Sequence, residues 1–204
     1  MIVIVDYGMG NLRSVEKAFL KVGVDAKVTS SPLDIEDASA VVLPGVGAFR
    51  DCMKNLDNLN LLAPVLRSIE KGKPYLGICL GLQILFTESM EFGLCRGLGV
   101  IKGKVVRFPQ MGLKIPHMGW NTVKLRKTPP IFDGIEDESY FYFVHSYHVA
   151  PDKDEFIAGT TMYGIEFTSM IWKDNIIATQ FHPEKSQQLG LRVLKGFGEF
   201  EKRA

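Results

Sequence analysis

A cysteine occupies the point where an apolar segment of the sequence would turn sharply into a helix. Residues 74–83 run from an apolar stretch into Gly77-Ile78-Cys79-Leu80-Gly81. Glycines on both sides of so tight a turn remove the side chains that would crowd it, and the residue at the bend is then exposed. The unpaired N–H groups at the start of the following helix would favour a thiolate there. The spacing therefore indicates Cys79 as a nucleophile.

A second segment, far along the chain, strengthens this interpretation. Taken alone, a glycine-flanked cysteine favours a small, buried structural residue. Residues 180–184, however, read Gln-Phe-His-Pro-Glu and place His182 and Glu184 at the end of a predicted strand, 175–181. A cysteine, a histidine and a carboxylate, each at the end of an element, supply a nucleophile, a base and a group that orients the base. We predict that Cys79, His182 and Glu184 form a catalytic triad.

Acyl transfer by such a triad also requires N–H donors for the developing oxyanion. An apolar run at residues 40–43 ends in Pro44-Gly45-Val46-Gly47, whose glycines leave the backbone free to point N–H groups into open space. Parallel α/β sheets bind ligands at this end of their strands. An ordinary strand-to-helix turn is the alternative. With Cys79 as nucleophile, the candidate oxyanion donors are the backbone groups of Gly45, Val46, Gly47 and Leu80.

The elements that must position these residues alternate between strand and helix in the first part of the chain. Short β-branched or apolar runs predict buried parallel strands, which lie at residues 2–5, 26–29 and 40–43 and just before Cys79. Apolar residues at helical spacing predict helices at residues 11–22, 60–70, 80–89 and 186–200. Strands followed by helices in this order are typical of a parallel α/β sheet.

The pattern changes after residue 100. Five short strands with turns between them and no clear helix are predicted at residues 100–107, 121–125, 139–149, 156–162 and 167–172. We interpret them as an antiparallel insert, after which strand 175–181 returns to the parallel set. The predicted fold is a single α/β domain over residues 1–204, with an open, mainly parallel, flavodoxin-like sheet flanked by helices and an antiparallel strand insert.

Composition excludes several classes of function. The 204 residues are 46% hydrophobic, enough for a full core, and the formal net charge of +1 comes without a basic run that would bind nucleic acid. No apolar run approaches membrane-spanning length, and the N-terminal apolar run lacks a basic leader. The cysteines, Cys52, Cys79 and Cys95, form no Cys-x-x-Cys pair, which favours a reducing compartment. We expect a cytoplasmic protein.

No pattern predicts a metal or a cofactor. Zinc-ligand spacings are missing from the sequence, and His145 and His148, three apart on one predicted strand, should face opposite sides of it. We interpret both as hydrogen-bonded structural histidines. The segment Gly8-Met9-Gly10-Asn11-Leu12-Arg13 is only a partial dinucleotide motif, because Arg13 stands where the third glycine belongs.

One apolar segment has two open interpretations. Residues 109–120 carry Met111, Met118 and Trp120 among prolines and glycines. Such a segment is either a loop packed on its own core or a surface for a partner protein, because a monomer has little reason to expose it.

The glycine loop at 44–47, the elbow at 77–83 and the run Phe181-His182-Pro183-Glu184, in that order, resemble the class I glutamine amidotransferases. Within that family the chain is most similar to the glutaminase subunits of imidazole glycerol phosphate synthases. That closer resemblance lies in Asp6-Tyr7-Gly8-Met9-Gly10-Asn11, in residues 116–121, read Pro-His-Met-Gly-Trp-Asn, in residues 142–147 and in Lys185 after the glutamate. It extends from end to end of the chain.

The resemblance implies a mechanism and a partner. Cys79 would attack the side-chain amide of glutamine and form a thioester, while His182 moves the protons and Glu184 orients it. The positions that match the family's glutamine-holding residues are Gln83, Ser146 and Tyr147. The ammonia would pass to a separate cyclase subunit with a (β/α)₈ barrel, in histidine biosynthesis. Family positions at the interface with that subunit correspond to Asn11, Met118, Trp120 and Lys185.

The same resemblance implies regulation by the partner. In such complexes the glutaminase is nearly idle until the cyclase binds its ligand, with the Gly45-Val46-Gly47 backbone as the switch.

Three other functions remain open from the sequence. A free-standing cysteine hydrolase would use the same triad without a partner. A glutaminase subunit of a different synthase would differ only at the interface residues. A flavodoxin-like binding module with a structural Cys79 would require the three motifs to coincide by chance.

Overall fold

The structure, a computed structural model that describes residues 1–110 and 112–203, is built on a sheet whose first part is parallel. Five strands pair side by side in the order β2-β1-β3-β4-β13. Each is short, apolar and almost wholly buried, apart from the edge strand β2. Their bounds are β1 Ile2–Val5, β2 Ala26–Thr29, β3 Ala40–Gly45, β4 Tyr75–Cys79 and β13 Ile176–Thr179.

Helices cover both faces of these strands, because alternate strand residues point to opposite sides. Ile4 and Leu76 pack in one cluster with α1 and α6, whereas Val3 and Tyr75 pack in the other with α3 and α4. The helices are α1 Leu12–Lys21, α2 Pro32–Asp37, α3 Phe49–Asn58, α4 Leu62–Glu70, α5 Leu80–Gln83 and α6 Gln187–Glu201. Within residues 1–110 and 112–203, no helix has the length and apolar character needed to cross a bilayer.

The other half of the sheet is largely antiparallel. Strand β12 pairs with β13 and carries the sheet on through β10 and β7 to β5 and β6, while β11, β8 and β9 branch from β12. The bounds are β5 Phe86–Ser89, β6 Cys95–Arg96, β7 Ile101–Arg107, β8 His117–Leu125, β9 Ser139–His145, β10 Tyr147–Pro151, β11 Ile157–Tyr163 and β12 Ile165–Lys173. The α/β class with an added antiparallel part is therefore confirmed.

Two predicted elements are wrong. The helix expected at residues 80–89 is the single turn α5, after which the chain enters strand β5. Its apolar residues are buried because they lie between sheet and helices, not because they form one face of a long helix. The strand expected at 139–149 is two strands, since β9 pairs with β8 and β10 pairs with β7 and β12.

The break between β9 and β10 also corrects the placement of two histidines. His145 and His148 do not face opposite sides, because both rings pack on Phe108, at centroid distances of 5.3 and 4.7 Å. The strict alternation of an unbroken strand does not apply across Ser146, which lies between the two strands.

Candidate active site

The register of three neighbouring strands brings the predicted site together at one edge of the sheet. Strands β3, β4 and β13 are parallel, with Gly45 opposite Cys79 and Thr179 opposite Ile78. The carboxyl ends of parallel strands share an edge, so the glycine loop, the cysteine and the segment that carries His182 all meet there. The nucleophile candidate lies on the central strand of the three.

The turn after β4 has the geometry of a nucleophile elbow. Cys79 has φ 55° and ψ −99°, a backbone conformation that residues with a Cβ rarely adopt, and its side chain is 6% exposed. A Cβ on Gly81 would overlap the carbonyl oxygen of Leu43 on the neighbouring strand. Strain of this kind costs about 1–3 kcal/mol and persists where the surrounding structure fixes it. The fold therefore holds Cys79 in an unfavourable backbone conformation and its thiol in a fixed position.

His182 and Glu184 form a buried pair next to the elbow. Nδ1 of His182 donates a hydrogen bond to Oε1 of Glu184 at 2.8 Å, and both side chains are 2% exposed. Nε2 of His182 is also buried and makes no hydrogen bond to any residue that the structure describes. The carboxylate thus fixes the ring and leaves Nε2 available for chemistry.

The charges around His182 decide its protonation. Burial alone lowers its pKa, but Cys79 and then Glu184 outweigh burial and raise the pKa of His182 to about 10. An imidazolium is therefore the resting form at neutral pH, paired with Glu184 and facing Cys79. This arrangement is suited to protonating a leaving group.

A cavity of about 360 Å³ opens in front of the cysteine. Eight of its lining residues were predicted from the sequence as site or interface residues: Val46, Gly47, Cys79, Leu80, Gln83, Ser146, Tyr147 and Lys185. Gly45 lies behind this surface, in register with Cys79, and the His182–Glu184 pair is buried beside it. A volume of this size is at the small end of ligand pockets and suits an amino acid better than a peptide.

The glycine loop is held at both ends by side chains from elsewhere. At its start, the hydroxyl of Tyr7 donates to the carbonyl of Pro44 at 2.9 Å. At its end, the N–H of Phe49 donates to Oε2 of Glu91 at 2.7 Å. Between these bonds, Val46 and Gly47 are exposed.

Glu91 was not predicted from the sequence, although it lines the cavity. It lies between exposed residues, after the end of β5, and no spacing relates it to the cysteine or the histidine. In the sequence, Glu91 is only an isolated acidic residue that belongs to no motif. As the anionic side chain in the cavity, it fits the ammonium group of an amino acid.

Comparison with known families decides the wider classification. The model of class I glutamine amidotransferases matches residues 3–197. The chain belongs to this family.

Curated relatives within the family are closely similar over nearly the whole chain. One from Geobacter sulfurreducens is 56% identical, with 98% of this chain and 99% of the relative covered. One from Aquifex aeolicus is 52% identical, with 96% of this chain and 94% of the relative covered. Both are named imidazole glycerol phosphate synthase subunit HisH.

Solved structures of amidotransferases share the fold at lower identity. A structure described as glutamine amidotransferase has a TM-score of 0.77 at 20% identity, covering 99% of this chain and all of its own. A glutamine amidotransferase from Thermotoga maritima has a TM-score of 0.64 at 17% identity, covering 99% of this chain and 84% of its own. The amidotransferase fold is thus found in this chain as well.

Of the residues predicted to lie at a partner interface, Lys185 lines the cavity. Met118 and Trp120, two apart on β8, are 60% and 46% exposed. The Trp120 ring lies 6.1 Å from that of Tyr142, and Nζ of Lys185 lies 5.9 Å from the same Tyr142 ring. Asn11, also exposed, precedes α1 at the same edge of the sheet. Met111 lies outside the described residues.

Proposed function

We propose that this chain is the glutaminase subunit of an imidazole glycerol phosphate synthase. It would hydrolyse glutamine to glutamate and ammonia and pass the ammonia to a separate cyclase subunit with a (β/α)₈ barrel. The assembled synthase would make imidazole glycerol phosphate and the aminoimidazole carboxamide ribotide by-product in histidine biosynthesis. The observation that carries the chemistry is the strained Cys79 beside the buried His182–Glu184 pair, facing a cavity of amino-acid size. The high identity to relatives named HisH supports the choice of synthase.

The first half of the reaction forms a thioester. The Cys79 thiolate attacks the side-chain amide carbon of glutamine, and the carbonyl oxygen becomes an oxyanion. Backbone N–H groups of the glycine loop and of Leu80 stabilise that charge. The carbon–nitrogen bond then breaks as the His182 imidazolium gives its proton to the nitrogen, which leaves as ammonia.

The second half restores the enzyme. Neutral His182 accepts a proton from water as the water attacks the thioester carbon, and the carbon–sulfur bond breaks to give glutamate and the thiolate. Glu184 keeps the ring oriented through both steps. The pKa of His182, raised to about 10, favours return of the ring to its imidazolium form.

Delivery to a partner follows from the chemistry of the product. Free ammonia is largely protonated at neutral pH, and an ammonium ion neither attacks electrophiles nor crosses an apolar passage at low cost. The cavity should therefore open into the cyclase, across the surface formed by Met118, Trp120 and Lys185. No membrane or nucleic acid takes part, and the cytoplasm is the expected compartment.

The test measures glutamate release from glutamine by the purified chain, alone and mixed with a histidine-pathway cyclase subunit carrying its ligand. We expect release only in the mixture, and none from Cys79→Ala. Trp120→Ala serves as a matched surface variant that should lower release in the mixture while leaving the folded chain intact. Full activity of the isolated chain would contradict partner dependence. An inert mixture in which Cys79 still reacts with a glutamine-analogue alkylator would keep the chemistry and reject this cyclase.

A further inference from the structure

Gln180 places an amide next to the reactive sulfur. The residue follows β13 directly, two positions before His182, and is fully buried. Its Nε2 lies 3.5 Å from Sγ of Cys79, within the longer range of hydrogen bonds to sulfur. The sequence placed Gln180 in the His-Pro-Glu segment but gave it no role.

A backbone carbonyl at the other end of the hydrogen-bond network decides which atom of the Gln180 amide faces the sulfur. Nε2 of Gln83 donates to the carbonyl oxygen of Tyr147 at 3.0 Å, and this oxygen can only accept. The same nitrogen lies 3.2 Å from Gln180, so the atom of Gln180 that faces it must be the oxygen Oε1. The amide nitrogen of Gln180 therefore faces Cys79, and the sulfur receives a donor.

A second chain of hydrogen bonds ends at the same carbonyl. Nδ1 of His145 donates to the Tyr147 oxygen at 2.8 Å, and Nε2 of His145 accepts from Nδ1 of His117 at 3.0 Å. Nε2 of His117 in turn lies 3.3 Å from Nδ2 of Asn121. Because both histidines are buried and neutral, their tautomers are set by this chain, and the Tyr147 carbonyl is held from two sides.

Two other features next to the sulfur could stabilise a negative charge on it. The helix after the elbow is the single turn α5, too short to carry much of a helix dipole. Nε2 of His182 also faces Cys79, and an interaction between the two raises the pKa of His182, but in this structure Nε2 does not reach hydrogen-bond geometry with the sulfur. The side-chain amide of Gln180, by contrast, lies within hydrogen-bond distance of the sulfur and has its donor atom turned toward it.

We infer that Gln180 is a catalytic residue that donates a hydrogen bond from Nε2 to the Cys79 thiolate, with Gln83 and the Tyr147 carbonyl fixing its orientation. No proton is transferred. The bond stabilises the negative sulfur before attack and again when the thioester carbon–sulfur bond breaks and the sulfur leaves as an anion. Only this role in turnover rests on the proposed function, since the stabilised thiolate exists without glutamine or a cyclase.

The test follows alkylation of Cys79 by iodoacetamide in the isolated chain, from about pH 5 to about pH 10, because the thiolate is the reacting form. Gln180→Met keeps the length of the side chain and removes the donor. Mass spectrometry of the Cys79 peptide separates this site from Cys52 and Cys95. We expect the variant to react about tenfold more slowly at neutral pH, the usual size of a hydrogen bond to a charged group, and to approach the unmodified chain at high pH.

The matched control is Thr179→Val, which removes a buried hydrogen bond from Thr179 Oγ1 to the Phe181 carbonyl, 2.9 Å long, without touching Cys79. Identical pH profiles for Gln180→Met and the unmodified chain would overturn the inference, as would an equal loss in Thr179→Val. If Gln180→Met does not fold, Gln180→Glu decides. Its carboxylate keeps the shape but sets an acceptor against the sulfur, so alkylation at neutral pH should slow further, and an unchanged rate would reject the inference.

The alkylation assay uses no partner and no glutamine. Suppose that no glutamate is released in the cyclase mixture but that Cys79 is still alkylated more slowly in Gln180→Met than in the unmodified chain. That result would reject the proposed synthase and keep the role of Gln180. The opposite pair of results would reject Gln180 alone.

Discussion

His182 and His145 are both buried histidines near the same cavity, yet their protonation is opposite. Burial lowers the pKa of His145 to about 3, while His182, under the same influence, is raised to about 10 by Cys79 and Glu184. His145 contacts aromatic rings, His117 and a backbone carbonyl, none of which is anionic. The comparison teaches that burial makes a histidine neutral unless an anion is buried with it, and only the second kind carries a proton at neutral pH.

Removing the sulfur should have the largest effect. Cys79→Ala should lower glutamate release in the cyclase mixture by about a thousandfold or more, because no nucleophile remains. It should also lower the pKa of His182 from about 10, since Cys79 contributes the larger part of the effect that raises it. NMR titration of the histidine ring protons measures this shift, and His145 in the same spectra is the internal control. A His182 that still titrates near its original value would show that the thiolate is not the cause.

Neutralising the carboxylate tests the other anion. Glu184→Gln keeps an oxygen acceptor for Nδ1 of His182 but removes the charge. We expect the pKa of His182 to fall and glutamate release to drop by about a hundredfold or more, because the ring loses both its orienting charge and its resting proton. Kinetics with the cyclase present separate an effect on kcat from an effect on KM, and the loss should lie in kcat. A loss confined to KM would assign Glu184 to substrate binding instead.

The neutral histidines should make the fold sensitive to acid. Burial lowers the pKa of His117 to about 4 and of His145 to about 3, against 6.5 for an ordinary histidine. Below about pH 6.5 the unfolded chain binds protons that the folded chain refuses, so stability is present above that pH and is lost as the pH falls toward about 4 and 3. Each such group contributes about 2 kcal/mol of loss between about pH 7 and pH 5.

His145→Gln measures this contribution directly. The variant will be less stable at neutral pH, because the hydrogen bonds to His117 and the Tyr147 carbonyl change. Its free energy of unfolding, from urea denaturation, should nevertheless fall by about 2 kcal/mol less than that of the unmodified chain over the same pH interval. Parallel pH dependences would mean that His145 binds protons equally in the folded and the unfolded chain, and that burial does not lower its pKa.

The sequence predicted the surroundings of Cys79 far better than those of His145. Strand ends followed by glycine, cysteine or histidine are local patterns, so the elbow at Cys79 and the convergence of β3, β4 and β13 were predictable. The helix α3 was missed, although Phe49, Cys52 and Leu56 carry helical spacing, because polar residues fill the positions between. The short helix α2 was missed too, and its signal was the Ser31 cap followed by proline.

Contacts between distant segments could not be predicted in this way. The hydrogen bonds from Gln180 to Cys79 and from Phe49 to Glu91 join residues 101 and 42 positions apart. They depend on sheet register and loop conformation, which no local period encodes. The histidine cluster was missed for the same reason, since the break at Ser146 alters which side chains share a face.

The smallest effect should come from a substitution at His148, the third buried, neutral histidine after His117 and His145. Its ring is 7% exposed, packs on Phe108 and Phe167, and is not part of the cavity wall or of the hydrogen-bond chain to Tyr147. Burial lowers its pKa, so at neutral pH it acts as an uncharged packing group. His148→Leu should therefore leave glutamate release within about threefold and the free energy of unfolding within about 1 kcal/mol at neutral pH. A tenfold loss of kcat with an intact fold would place His148 with His182 rather than His145, and proximity to the cavity would then matter more than the charge of the neighbours.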